Sequence, residues 1–312
     1  MAGLALMVGL RFEVGADWET YRLLFSYAGY ADLGHALRIG DPGYQLLSWG
    51  VRRIEVGIWL VNLVCGIIFT WGLARFARVQ PSPWLAVVVA VPYLVIVVAM
   101  GYTRQAVAIG ILMAGLAAVH QGASTLRFAA YVAAAALFHK TAVIALPLVV
   151  FSSERNKFVN ILTGIVTIYM LYSSFLADSV DQFVKTYIGT KYSSQGAAIR
   201  VVMNIVPAAV FLISNRRLEL FGRERRIWFF HSIAAVALLV LLFVIPSSTA
   251  VDRLALYVMP LQIAVLSRMP IVLGTRAGTI VVVLYSFAVE FVWLNFAVHS
   301  KYWVPYQVYP LF

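Results

Sequence analysis

Residues 227–245 read IWFFHSIAAVALLVLLFVI, and the twelve residues before them, 215–226, read NRRLELFGRERR. The first stretch is 19 residues without a formal charge, enough at about 1.5 Å per residue to cross the roughly 30 Å hydrocarbon core of a bilayer. The second carries five arginines, Arg216, Arg217, Arg223, Arg225 and Arg226, against two glutamates. Lipid offers no partner to a backbone amide, so a run of this kind must be helical, and a short arginine-rich connection before it marks the cytoplasmic side.

Similar runs recur at 56–76, 84–102, 106–120, 157–177, 198–214, 254–267 and 278–298. The chain is 62% hydrophobic and 12% charged, with a mean hydropathy of +0.87. These values predict an all-α, polytopic membrane bundle of about nine to eleven membrane helices. Residues 1–312 form one transmembrane domain, because no polar stretch is long enough to fold apart from it. Residues 1–10 are apolar but short for a span and read as an abbreviated first helix. The net charge of +11 comes from basic residues scattered at segment ends, which excludes a nucleic-acid surface and fits the bilayer and anionic lipid-linked ligands. Cys65, the single cysteine, lies inside an apolar run, so it can neither form an intramolecular disulfide nor plausibly act as a thiol nucleophile.

Counting outward from the 215–226 loop places 154–157 inside, and counting forward from a cytoplasmic N-terminus places 121–127 inside as well. Residues 126–151 must then cross an even number of times, which predicts a hairpin broken at Phe138-His139-Lys140 and loosened by Pro147. The same count puts 11–55 outside as a loop with interfacial helices, together with Arg104, Asp252, Arg253, the 178–197 loop and the tail from His299. The 178–197 loop reads as a short amphipathic helix lying on the membrane and gating the site, and the tail as folding back over it. Charges at the outer ends of apolar segments cost several kcal/mol if they meet lipid, so Arg11, Asp17, Arg104, His139 and Arg253 are expected to line one polar cavity. Arg52, Arg53 and Arg200 read instead as interfacial arginines at helix ends, and Glu290 as a structural hydrogen-bonding residue within its span.

Six short elements occur in order: Arg11-(x)3-Gly15-Ala16-Asp17-Trp18-(x)2-Tyr21, Asp41-Pro42-Gly43-Tyr44, Arg104-Gln105-Ala106, Phe138-His139-Lys140-Thr141-Ala142, Asp252-Arg253-(x)3-Tyr257 and Tyr302-Trp303-Val304-Pro305-Tyr306. In this order and spacing the chain resembles the EpsG family of exopolysaccharide membrane proteins, which is similar to the Wzy-type polymerases of O-antigen and capsule assembly. Lys140 departs from the pattern, which has a small or hydroxylated residue there. The resemblance implies a GT-C-like membrane glycosyltransferase in the bacterial inner membrane, with its site facing the periplasm. It would transfer an oligosaccharide repeat unit from undecaprenyl diphosphate onto a second lipid-linked glycan, without a nucleotide sugar or other cofactor, and a chain-length regulator protein would be a partner.

The residues suit that chemistry. A departing diphosphate gains charge, and arginine forks meet phosphate oxygens through paired charge-assisted hydrogen bonds. Arg104 and Arg253 are the first candidates, with Arg11 third and Lys140 beside them. An acceptor hydroxyl needs a base, for which Asp17 and His139 are the candidates. Trp18, Tyr21, Tyr44, Tyr257 and Trp303 are the aromatics placed to contact glycan. Asp32, His35 and Asp41 lack the spacing of a metal site, so no metal is expected. Two other readings remain: a flippase of the same lipid-linked unit, against which the one-sided polar residues and the absence of an internal repeat speak, and an acyltransferase using His120 or His231 from the inner face.

Overall fold

The computed structural model describes residues 1–30, 32–153, 157–175, 196–244 and 248–311. The expected amphipathic helix at 178–197 lies, but for its last two residues, outside them. Among the described residues the chain is helical, with a lone β-bridge between Arg11 and Val308. A short α1 (Ala2–Gly9) is followed by α2 (Trp18–Ala28), α3 (Leu33–Ile39) and α4 (Pro42–Arg53), then by the long α5 (Ile58–Arg78). Next, α6 (Pro83–Ala90) runs into a π-helical stretch, Val91–Ala99, and α7 (Thr103–His120) returns. The second half holds α8 (Thr125–Phe138), a 3-10 turn (Lys140–Ile144), α9 (Ala145–Val150), α10 (Lys157–Phe175), α11 (Ala197–Ser214) and α12 (Gly222–Val244). It closes with α13 (Ser248–Val258), α14 (Pro260–Leu266), α15 (Met269–Leu273) and α16 (Thr275–Phe296).

Five of these, α5, α7, α11, α12 and α16, are long and apolar enough to cross a membrane. A sixth crossing is available to α13 with α14–α15, which bend by 42° at the junction before Pro260. Proline supplies no N–H to the preceding turn, which accounts for the bend. The expected nine to eleven membrane helices included shorter apolar pieces, Pro83–Ala99, Thr125–Phe138 and Lys140–Val150, which do not reach that length. The hairpin break falls where it was expected: His139 leaves α8 in extended backbone, φ −157° and ψ 109°.

The core forms around α7, in which every residue from Gln105 to Val119 is buried. Helices in lipid gain no hydrophobic drive from meeting one another, so close backbone approach through small residues must supply the packing. Gly72 on α5 provides it: a Cβ there would run into the Gly110 carbonyl and backbone of α7, and one at Gly110 would meet the Phe69 Cα. Large apolar side chains such as Ile213, Phe243, Leu284 and Phe287 point outward on α11, α12 and α16, as a lipid-facing surface requires.

At about 1.5 Å per residue, α7 separates Arg104 from His120 by roughly 24 Å. Arg104 meets Asp41 at one end, and His120 meets Glu224 at the other. Each polar cluster therefore occupies its own end of the bundle. The C-terminal tail closes the Arg104 end: Phe12 N–H donates to the Gln307 carbonyl (3.0 Å), Tyr309 N–H to that of Leu10 (2.7 Å) and Gly15 N–H to that of Tyr302 (2.9 Å).

Gly72→Ala is expected to destabilise the protein by about 1–3 kcal/mol through overpacking against Gly110. Gly50→Ala, where a Cβ meets open space, is expected to be near neutral. Thermal midpoints of the two variants in detergent check the difference.

Candidate active site

The Asp41 carboxylate ties three elements together. Asp41 precedes Pro42, which occupies the first turn of α4 and has no N–H to be capped. Its side chain makes no cap hydrogen bond and turns instead toward α7 and the broken hairpin. Oδ2 accepts from the Arg104 guanidinium at 2.8 Å and lies 3.7 Å from His139 Nδ1, while Oδ1 accepts from the Lys140 backbone N–H at 3.3 Å. Burial pushes the Asp41 carboxyl upward, but the His139 ring, the Arg104 charge and the Lys140 N–H outweigh it and hold it below the usual carboxylate range. Tyr21 adds a ring beneath Arg104 at 5.9 Å, and its hydroxyl accepts from the Arg104 backbone N–H at 3.4 Å.

Across from this cluster, Gln105 Nε2 donates to the Arg253 carbonyl at 2.7 Å, and Thr141 Oγ1 donates to the Tyr257 hydroxyl at 3.0 Å. These bonds fix α13 against α7 and the hairpin. The Arg253 side chain is exposed, and among the described residues no hydrogen bond or ion pair engages its guanidinium.

Asp17 stands at the start of α2, after Gly15, whose φ of +109° and close approach to the Met100 carbonyl suit glycine alone. Its carboxylate makes no cap hydrogen bond, and among the described residues none donates to it. Burial raises its pKa, and the charges of Arg253, Arg104 and His299 pull it down without cancelling the rise. A carboxylate beside arginines was expected simply to stay ionised; half-burial makes it the more basic of the two acids here.

The structure thus brings Asp17, Arg104, Arg253 and His139 to one end, with Lys140 exposed at the rim. Arg11 does not join them. Its guanidinium is fully buried and donates to the Val8 carbonyl (2.6 Å), Asn62 Oδ1 (3.3 Å) and Thr103 Oγ1 (2.7 Å). It is a strut joining α1, α5 and α7, which corrects the diphosphate-binding role expected of it. The five aromatics expected to contact glycan are all buried: Trp18, Tyr21, Tyr44, Tyr257 and Trp303. Tyr257 is held by Thr141, and the Trp303 indole donates to the Ile96 carbonyl at 2.7 Å. They form the walls of the site, and of the five Trp303 lines the cavity beside Asp17.

Two pairs escaped the sequence reading. Asp41 reads in sequence only as a candidate metal ligand, and its partners Arg104 and Lys140 lie 63 and 99 residues further along the chain. Arg200 read as an interfacial arginine; it is instead buried, with its NH1 on Asp252 Oδ2 at 2.7 Å and its guanidinium over the Tyr102 ring at 5.6 Å. Arg52 and Arg53 do lie exposed over Phe25 and Trp49, as interfacial arginines would. Glu290 is half-buried on α16, and no hydrogen bond to its carboxylate is found among the described residues. A cavity of about 540 Å³ opens beside Asp17, bounded by Ala16, Tyr102, Arg200, Trp293 and His299.

The opposite end is also polar. Glu224 accepts from Arg268 at 2.7 Å and lies 3.3 Å from His120 Nδ1, and Arg268 also donates to Gln80 Oε1 at 2.5 Å. The polar residues are therefore not one-sided, contrary to expectation, and His120 does have a partner. Residues 106–119 of α7, which join the two ends, carry no polar side chain. His231 is buried, with Nδ1 2.8 Å from the Ile227 carbonyl of its own helix, a structural arrangement.

No curated protein and no solved structure matches the chain. The sequence does match the EpsG family over residues 1–308, essentially its whole length. With that coverage, and with the polar end of a helical membrane bundle behind it, the chain belongs to the EpsG family, a Wzy-like family of exopolysaccharide polymerases.

Proposed function

We propose that the protein is a glycosyltransferase that polymerises oligosaccharide units carried on a polyprenyl diphosphate such as undecaprenyl diphosphate. In the reaction, an acceptor hydroxyl on one lipid-linked glycan attacks the anomeric carbon of another. The bond from that carbon to the diphosphate oxygen breaks, and the diphosphate leaves with the electron pair. Asp17 takes the hydroxyl proton; Arg253 and Arg104 take the growing charge on the leaving diphosphate. The observation that carries this reading is an accessible, unbonded Asp17 carboxylate, next to the cavity that Ala16 lines, with the uncommitted Arg253 guanidinium within electrostatic reach.

Asp17 is preferred to His139 as the base because the His139 ring is only 13% exposed and lies against Asp41. His139 and Asp41 act as positioning residues that aim Arg104. The arginine-rich 215–226 loop belongs to the Glu224 end, which supports a cytoplasmic position for that end and a periplasmic one for Asp17 in the inner membrane. A flippase would need a path for a polar headgroup between the ends, and the apolar 106–119 stretch of the central helix supports polymerisation over transport.

In a lipid-reconstituted assay with a polyprenyl-diphosphate oligosaccharide, Arg253→Ala is expected to lower kcat by about 10²- to 10³-fold, the usual loss for one donor to transition-state charge. A loss confined to KM would show that Arg253 only binds. Asp41→Asn is expected to lower kcat less, because Arg104 keeps its charge and loses only its anchor.

The pH dependence tests the base. Activity requires ionised Asp17 and therefore falls as the pH drops through its pKa, which burial has raised. The acidic limb of kcat/KM is expected above the ordinary aspartate value of about 3.9. Residual activity of Asp17→Asn should lack that limb; its persistence would assign the base elsewhere.

A further inference from the structure

Two cavities share a wall. The one beside Asp17 holds Arg200, Tyr102 and His299 and is about 540 Å³. The second, about 300 Å³, runs along α16 past Tyr285, Val289 and Val292 and faces Met203 of α11. Tyr93, Ile199, Trp293, Phe296 and Ala297 line both, so the two form one passage. Its α16 side is almost wholly apolar and opens on the lipid-facing surface, where Val292 is 48% exposed.

The polar end contains a buried arginine that lines the cavity. Arg200 is 7% exposed, and its Nε–H has no hydrogen-bond partner among the described residues although NH1 is bound to Asp252. A buried guanidinium N–H without an acceptor is costly, and an anionic oxygen in the adjoining cavity, which Arg200 lines, would satisfy it once the side chain turns toward it. The Asp252 carboxylate is already neutralised by Arg200, so it does not bar such an anion. The next residue, Arg253, lies within electrostatic reach of Asp17. Two successive positions of α13 therefore associate with two different guanidinium groups.

We infer that this passage seats the carrier lipid of the donor, its prenyl chain lying in the groove between α11 and α16 and its lipid-proximal phosphate meeting the Arg200 Nε–H. The sugar-proximal phosphate then falls to Arg253 and Arg104. The assignment deepens the polymerase reading and rests on it for the identity of the donor. It also explains why Arg200 is buried rather than extended to the membrane surface. An ordinary phospholipid would fill the groove without placing a transferable sugar at Asp17.

A prenyl diphosphate bearing a diazirine near its head, photolysed with the intact protein in nanodiscs, tests this without requiring turnover. Labelling is expected on α11 and α16 around Met203, Ala288 and Val292. Long-chain prenyl diphosphate should compete, whereas inorganic diphosphate and vesicles of anionic phospholipid should not. Ala288→Trp fills the groove from its exposed side. If it excludes about two methylene equivalents, it should weaken long-chain competition about tenfold. Labelling displaced equally by phospholipid would make the groove a site for bulk lipid and overturn the inference. Displacement by inorganic diphosphate, labelling elsewhere, or unaltered long-chain competition in Ala288→Trp would do the same. Absence of polymer in the activity assay with specific labelling intact would instead sink the polymerase reading and leave the lipid site standing.

Discussion

One buried carboxylate holds the Arg104 end of this bundle together. Asp41 receives Arg104 from α7 and the Lys140 N–H from the broken hairpin, with His139 alongside. Each of those groups would otherwise be a polar liability at the margin of the membrane. Removing one partner of a buried pair commonly costs about 3–5 kcal/mol, because the other charge is left without compensation. The arrangement also gives the helix break a reason. A continuous helix through His139 would have tied the Lys140 N–H to the carbonyl four residues back; the extended backbone at His139 releases it for Asp41.

The large-scale architecture was legible because lipid imposes it. Uninterrupted apolar runs can only be helices, so the observed Ile58–Arg78, Thr103–His120, Ala197–Ser214 and Thr275–Phe296 follow the runs read from sequence within a few residues. The hairpin break was legible for a different reason: topology required an even number of crossings, and a His-Lys pair marked the turn. The membership of the Asp17, Arg104, His139 and Arg253 set was legible as well, since charged residues at segment ends have few places to go.

Partner choice was not legible. Arg11 and Arg253 look alike in sequence, each in an outer segment near an aspartate, yet one is spent on Asn62 and Thr103 and the other stays uncommitted. The difference depends on Thr103 and Asn62, uncharged residues on other helices that give no signal until those helices are packed. The aromatics misled for a related reason. Tyrosine and tryptophan near a membrane surface serve equally as belt, wall or stacking face, and only burial distinguishes the three. Arg200 was read from its position at a helix start, whereas its burial is set by Asp252, much later in the chain on α13.

The two aspartates at this end divide their labour through their surroundings. Both are partly buried, and burial alone would raise both. Asp41 gains a guanidinium and a backbone N–H at hydrogen-bond distance, which favour its charged form and leave it a poor proton acceptor. Asp17 gains only longer-range attraction from Arg253, Arg104 and His299, so burial prevails and its affinity for a proton rises. Pairs of like groups whose environments push them apart are how one site obtains both an electrostatic anchor and a base from the same side chain. Here the separation follows from backbone placement. The Asp41 side chain leaves the first turn of α4 uncapped and turns inward to Arg104 and the Lys140 N–H, while Gly15, at φ +109° against the Met100 carbonyl, sets Asp17 beside the open cavity.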